Sequence, residues 1–581
     1  MLDHTSSRPA LPHGPISRRA TLRLLTGAGA WAALGGCVGS TADSVADAPA
    51  SGGATGDATG AGPAASGTPD PARSGSAGAS PGTAAVGVAL EPVVRDVHLS
   101  LRAAPGTAEI VPGLASAVLR FDAEVLDGDP ASVGPAPGYL GPTLHLREGQ
   151  RVRISFDNEL DEPCIVHWHG LAVPQDQDGQ PPEAVGPGER YEYDFVIDND
   201  AGTYWYHPHP HGRTGEQVYR GLAGLLIVHP AESPAVAPTP PLPDGDRDLA
   251  LVLADRTVAR DGTLRYASTM HDRMAGFVGD TLVTNGVVDL TVAVSAAPHR
   301  LRILNGANAR TSVLRWSDGR PFTVLATDGH LLTRSVRTDR VVLTPAQRVD
   351  LWVDFAGLAG STVELLSANA FVESAGGMGA GMGAGSQMGT GGALELVDEV
   401  AATFAVGASP ESGTETETSS ATPASAPTKL GPEPDWSAAD AVAPTPKQFV
   451  LSTRQMTHWI NDAVWDERQV SQVETAVAGT VELWEFVNRS PMPHPMHLHG
   501  LPFRVVERSW DDDALAADWE QLAPGVVETG LRDTVLVWPG QRVRLAVRFA
   551  DHLGYFLYHC HVLEHEDAGM MRSYRVVATP S

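Results

Sequence analysis

The sequence predicts an all-β protein built from three β-sandwich domains, and three observations carry that expectation. Short stretches of alternating apolar residues are separated by Gly/Pro turns, the pattern of half-buried strands. One strand, alternating and closing on asparagine, recurs three times: Val152-Arg-Ile-Ser-Phe156-Asp-Asn158, Leu301-Arg-Ile-Leu-Asn305 and Val481-Glu-Leu-Trp-Glu-Phe486-Val-Asn488. A second strand, opened by Pro-x-x-Arg, also recurs three times: Pro187-Gly-Glu-Arg190, Pro345-Ala-Gln-Arg348 and Pro539-Gly-Gln-Arg542. The two keep the same order at each place, so the chain reads as three copies of one sandwich.

The copies are expected at 90–232, 233–406 and 441–581. Residues 38–89 are almost entirely Ala, Gly, Ser, Thr, Pro and Asp, too polar to offset their ordering entropy, and read as a flexible tether. Residues 407–440, which include Glu411-Ser-Gly-Thr-Glu-Thr-Glu-Thr-Ser-Ser420, read as a low-complexity linker. Residues 1–37 read as a targeting signal. Ser17-Arg18-Arg19-Ala20-Thr21-Leu22 resembles a twin-arginine export signal, and a short apolar run from Leu24 to Leu34 leads into Leu34-Gly35-Gly36-Cys37, which resembles a bacterial lipoprotein box. The expected location is therefore extracytoplasmic, on the outer face of a bacterial cytoplasmic membrane or in the cell envelope, anchored through lipid on Cys37.

Composition narrows the partners. The 581 residues carry a net charge of −28, which repels phosphate backbones and argues against nucleic acid. Three cysteines, Cys37, Cys164 and Cys560, exclude a disulfide framework. Cys164 lies in an apolar strand and reads as a buried free thiol.

The chemistry lies in clustered histidines. The first copy has His167-Trp168-His169-Gly170 and Tyr206-His207-Pro208-His209; the third has His497-Leu498-His499-Gly500 and Tyr558-His559-Cys560-His561; the second has neither. On a strand, residues i and i+2 share a face, so each pair presents two imidazoles together. Four pairs supply eight imidazoles, suited to borderline metals such as copper, and duplication in two copies predicts one trinuclear site across their interface. Cys560 faces away from its neighbours and can bind a separate copper on the opposite side. His494, three residues before His497, falls on that same opposite side, and the stretch from His559 to Met571 supplies a second imidazole and a thioether. Two imidazoles, a thiolate and a weak axial thioether make a blue-copper electron-transfer site.

These four motifs resemble those of the three-domain multicopper oxidases, the laccase-like family of cupredoxin-like domains. The stretches from His207 to Val218 and from His559 to Met571 are most similar to its copper-efflux oxidase and bilirubin oxidase branch. The resemblance implies four copper ions: a type 1 ion on His494, Cys560, His565 and Met570, a type 2 ion on His167 and His497, and a type 3 pair on His169, His207, His209, His499, His559 and His561. It implies proton-relay carboxylates at Asp178 and Glu566. It implies one-electron oxidation of a small reducing substrate, whether Cu(I), a phenol or aromatic amine, or a pyrrole pigment, coupled to reduction of O2 to water, by a monomer. A non-catalytic copper-binding scaffold and a copper nitrite reductase share the fold, and the complete eight-histidine set argues against both.

Other residues receive lesser readings. His211 lies outside the family ligand pattern. Asp511-Asp512-Asp513 reads as a solvated turn. The glycine-rich stretch holding Met378, Met382 and Met388 reads either as a linker or as a Cu(I)-handling loop, and Met492 matches a substrate-copper methionine of the copper-efflux branch.

Overall fold

The computed structural model describes residues 96–231, 241–267, 269–370, 396–407, 425–431, 445–455, 457–511, 516–549, 552–578. The expectations for the signal, the tether, Cys37 and the Met378/Met382/Met388 loop lie outside these residues. Among the described residues the architecture is all-β. The first copy contains two four-stranded sheets, the second a seven-stranded and a five-stranded sheet, and the third two five-stranded sheets.

The recurring strands occupy equivalent places in all three copies. The Asn-ending strands Arg151–Asn158, Pro298–Asn305 and Val481–Asn488 each pair in parallel with the opening strand of their copy and antiparallel with the strand that follows Pro-x-x-Arg. The asparagine explains why. Its amide nitrogen donates to at least two carbonyls: Glu162, Val185 and Gly186 for Asn158, Arg310 and Leu343 for Asn305, Met492 and Val537 for Asn488. Its side-chain oxygen accepts from the backbone N–H two residues on, at Leu160, Ala307 and Ser490. Only a short amide carries both a double donor and an acceptor into a buried corner.

The Pro-x-x-Arg turn is tied to the same asparagine. The residue after proline has φ near +75° in each copy: 76° at Gly188, 74° at Ala346 and 73° at Gly540. Proline followed by a positive φ makes a type II turn. The N–H of that residue donates to the asparagine carbonyl at 2.7, 2.8 and 2.9 Å respectively. In the second copy an alanine takes the left-handed conformation, at a cost of about 1–2 kcal/mol that the buried packing of Ala346 offsets.

Part of the stretch expected as a linker is built into the second sandwich. Leu430 is buried in its core, and the Leu430 and Ser335 N–H groups bond Thr333 and Thr428 across a short ladder. Leu430, with Ala426 packed against the same core, supplies the apolar surface that docks it. No helix among the described residues is long and apolar enough to cross a membrane.

Candidate metal centre

Four strands bring the histidines together. Val166–His169 pairs with Gly202–Pro208 so that His167 faces His207, and His494–Leu498 pairs with Gly554–Cys560 so that His497 faces His559. The eight imidazoles of the His-x-His pairs are all buried, at 0–1% exposure. They meet across the junction of the first and third copies. His167 stacks on His499 with ring centroids 3.8 Å apart, and His169 on His497 at 3.7 Å. His169, His207 and His561 form one mutual trio, with centroids 5.1–5.7 Å apart. His209, His499 and His559 form a second, at 5.1–5.2 Å.

The free nitrogens point inward. His167 and His497 use Nδ1 on backbone carbonyls, Asp178 and Asp533, both at 2.8 Å, and each leaves its Nε2 without a partner. His207 does the same with the Pro208 carbonyl at 2.9 Å. His169 is turned around: its Nε2 lies 3.1 Å from the Asp533 carboxylate, and Nδ1 is bare. The Nε2 atoms of His499 and His559 face each other at 3.1 Å, while each Nδ1 is already held, by Asp178 at 2.8 Å and by the Cys560 carbonyl at 3.2 Å. Two ring lone pairs confronting each other in a dry site are relieved by a cation between them. Burial and then the neighbouring rings push His169, His497 and His499 well below the ordinary imidazole range, leaving them neutral ligands.

The expected carboxylates sit against this cluster. Asp178 Oδ2 bonds His499 Nδ1 at 2.8 Å, and its Oδ1 lies 3.2 Å from His167 Nδ1. Gly179 makes that approach possible: φ is 74°, and a Cβ there would stand 1.8 Å from the Val166 carbonyl oxygen. Glu566, on the short helix Leu563–Asp567, places its oxygens 3.1 Å from His559 and 3.6 Å from His209. Burial alone would raise its carboxyl, but the His209 and His559 rings hold it well below the ordinary range.

A second cluster lies on the other side of the Gly554–Cys560 strand. His494 Nδ1 and His565 Nδ1 approach the Cys560 sulfur at 3.4 and 3.5 Å, and all three residues are fully buried. The remaining ring nitrogens are engaged, His494 Nε2 with the Ser490 hydroxyl at 2.7 Å and His565 Nε2 with the Met274 carbonyl at 3.0 Å. Burial pushes the Cys560 thiol up, so a metal must displace its proton. Met570 is buried in the same core, and its carbonyl accepts from the Cys560 N–H at 3.1 Å.

Three residues at these sites were not singled out from sequence as site residues. Asp533 touches His169 with its side chain and His497 with its carbonyl. Arg348, seen only as a repeat residue, grips Asp533 from the second copy. His458 packs on His565 with centroids 3.8 Å apart. The only sequence signal was an acid opening the apolar strand Thr534–Val537. Of the lesser readings, His211 lies at the surface against Trp465, Cys164 is buried and free, and Asp511 is an exposed partner of Arg542.

A fully buried eight-histidine cluster beside a Cys–His–His site, on repeated β-sandwiches, defines a protein built to hold several metal ions, with Cys560 on the strand between the two sites. Multicopper oxidase family models match residues 124–233 and 440–580. The chain is 31% identical to a laccase of Haloferax volcanii, over 74% of this chain and 76% of that protein. It is 29% identical to the multicopper oxidase mco of Staphylococcus haemolyticus, over 77% and 84% of the two chains. The crystal structure of the McoA multicopper oxidase from Aquifex aeolicus superposes with a TM-score of 0.65 at 31% identity, covering 82% of this chain and 96% of that one. The chain belongs to the multicopper oxidase family. It is a laccase-like enzyme with cupredoxin-like domains, which binds four copper ions and couples oxidation of a small reducing substrate to reduction of O2.

Proposed function

We propose that His494, Cys560, His565 and Met570 hold the type 1 copper, His167 and His497 the type 2 copper, and His169, His207, His561 with His209, His499, His559 the type 3 pair. The observation that carries this reading is the placement of Cys560: its sulfur faces one cluster while His559 and His561, its chain neighbours, face the other. Copper in these sites supplies one-electron acceptance at the single ion and four-electron oxygen reduction at the cluster. The chain's own part is to exclude water, hold the rings neutral and hand over protons. Asp178 Oδ2 and Glu566 Oε2 lie within hydrogen-bond reach of cluster histidines and are positioned to carry the protons that water formation consumes. Asp178→Asn and Glu566→Gln variants that keep four coppers per chain should lose oxygen uptake; full uptake in both removes the carboxylates from the relay.

The electron donor we favour is Cu(I), with phenols and aromatic amines as the second reading. His494 and His565 are 0% exposed, and the helix Met270–Ala275 lies over His565 with the Met274 carbonyl on its Nε2. A bulky aromatic donor has no bare imidazole edge to stack on. Met492 lies half-buried two residues before His494, and thioethers suit Cu(I). Turnover compared across chelator-buffered Cu(I), a phenol and bilirubin tests this. Replacing Met378, Met382 and Met388 by Ser should raise KM for Cu(I) alone; unchanged Cu(I) kinetics favour the phenolic reading. Lipidation at Cys37, an envelope location and a monomeric state complete the proposal, and mass spectrometry of the mature N-terminus checks the first.

A further inference from the structure

His458 belongs to no proposed copper ligand set, yet it is buried against both imidazoles of the single-copper site. It lies on the strand Thr457–Ile460. Its ring packs on His565 with centroids 3.8 Å apart and planes tilted by 35°, and meets His494 edge-on at 5.5 Å. Both of its nitrogens are engaged. Nδ1 lies 2.9 Å from the Thr453 hydroxyl, and Nε2 lies 3.0 Å from the Met274 carbonyl. That carbonyl is the same one that accepts from His565 Nε2, also at 3.0 Å. Two imidazole N–H groups, one of a ligand and one of a bystander, therefore share one acceptor.

We propose that His458 is a positioning residue that raises the reduction potential of the type 1 copper by competing with His565 for the Met274 carbonyl. A ligand imidazole that donates its remote N–H to a good acceptor becomes more basic and gives more charge to the metal. More charge from the ligand favours Cu(II) and lowers the potential. A carbonyl already engaged by a second donor is a poorer acceptor for the first, so His458 weakens the His565 bond and pulls the potential up. The Thr453 hydroxyl, donating into Nδ1, polarises the His458 ring and makes its Nε2–H the stronger competitor. The ring contact with His565 holds the geometry so that both donors reach the one oxygen.

This inference rests on the type 1 assignment above, and its test separates the two. The readout is a potentiometric titration of the blue absorption of the copper-loaded full-length protein. His458→Phe keeps the ring contact and removes both nitrogens; the blue band should persist and the one-electron equilibrium with a given mediator should shift about tenfold toward Cu(II), a fall of about 59 mV. His458→Gln restores an N–H toward the carbonyl and should return the potential to the wild-type value. Thr453→Val leaves the imidazole in place, weakens its donation, and should lower the potential by less in the same direction. An unchanged or raised potential in His458→Phe, or a Gln variant indistinguishable from Phe, overturns the proposal while leaving the type 1 assignment intact. If His458→Phe fails to hold copper, the Thr453→Val titration decides: no downward shift there overturns it. Absence of a blue band in the wild-type holoprotein overturns the type 1 assignment itself.

Discussion

The Arg348 guanidinium forks onto the Asp533 carboxylate at 2.8 and 2.6 Å, joining the second copy, which carries no ligand pair, to the third. The same guanidinium donates to the Thr203 carbonyl of the first copy at 3.0 Å. One buried side chain thus ties three sandwiches together behind His169 and His497, through the acid that touches both. Breaking a buried pair from one side costs about 3–5 kcal/mol. Arg348→Met should lower the thermal midpoint and deplete copper at the cluster. The blue band should survive, because His494, Cys560 and His565 all lie in the third copy. Copper analysis and absorption of the purified variant check both halves; loss of blue colour with an intact cluster would show the opposite dependence.

The two copper lesions should separate cleanly. Cys560→Ser should abolish blue colour and activity together, since a hydroxyl cannot replace thiolate charge donation. His497→Ala should weaken the cluster and leave the blue band largely intact. Blue colour in purified Cys560→Ser protein would refute the cysteine's role.

Met570→Leu should keep the protein blue and raise the type 1 potential, because an axial thioether donates weakly and leucine not at all. Faster oxidation of high-potential phenols follows, with about tenfold in equilibrium per 59 mV. Copper loss in this variant would instead mark Met570 as a structural ligand.

Acid should destabilise the first sandwich through a histidine pair that belongs to neither metal cluster. His145 Nδ1 and His229 Nε2 lie 3.0 Å apart. Burial and then the His145 charge push His229 down to about 4, and burial and then Arg302 lower His145. The unfolded chain titrates its histidines near 6.5 and the folded pair takes up protons only at lower pH, so the unfolded state binds more protons in between. Stability is complete above about pH 6.5 and declines as pH falls toward 4. The thermal midpoint of His229→Gln should fall less steeply over that window than that of the wild type; equal slopes would clear the pair.

How much was legible follows from which interactions are local. The three-copy plan was readable because the asparagine-ending strand and the Pro-x-x-Arg turn are each short local motifs, and each copy repeats the same bonds between them. The histidine clusters were readable because i, i+2 spacing on a strand sets the facing side by itself, and the rings gather where that alternation predicts. His458 and Asp533 carried no such spacing, and the residues that tie them to the sites, such as Met274 and His565 for His458 and His169 and Arg348 for Asp533, lie far away in the chain.

The arginines of the repeated turn show where that boundary falls. By itself the sequence determined that Arg190, Arg348 and Arg542 open equivalent strands in equivalent sandwiches. Only the tertiary structure decided their fates. The Arg190 side chain is 56% exposed and pairs with Asp157, and the Arg542 side chain is 26% exposed and pairs with Asp511 and Glu485, whereas Arg348 is 0% exposed with its charge spent on Asp533. A local pattern dictates the strand a residue starts and the face it takes. Which neighbour covers that face depends on how separate domains dock, and docking draws on burial and charge pairing between residues hundreds of positions apart.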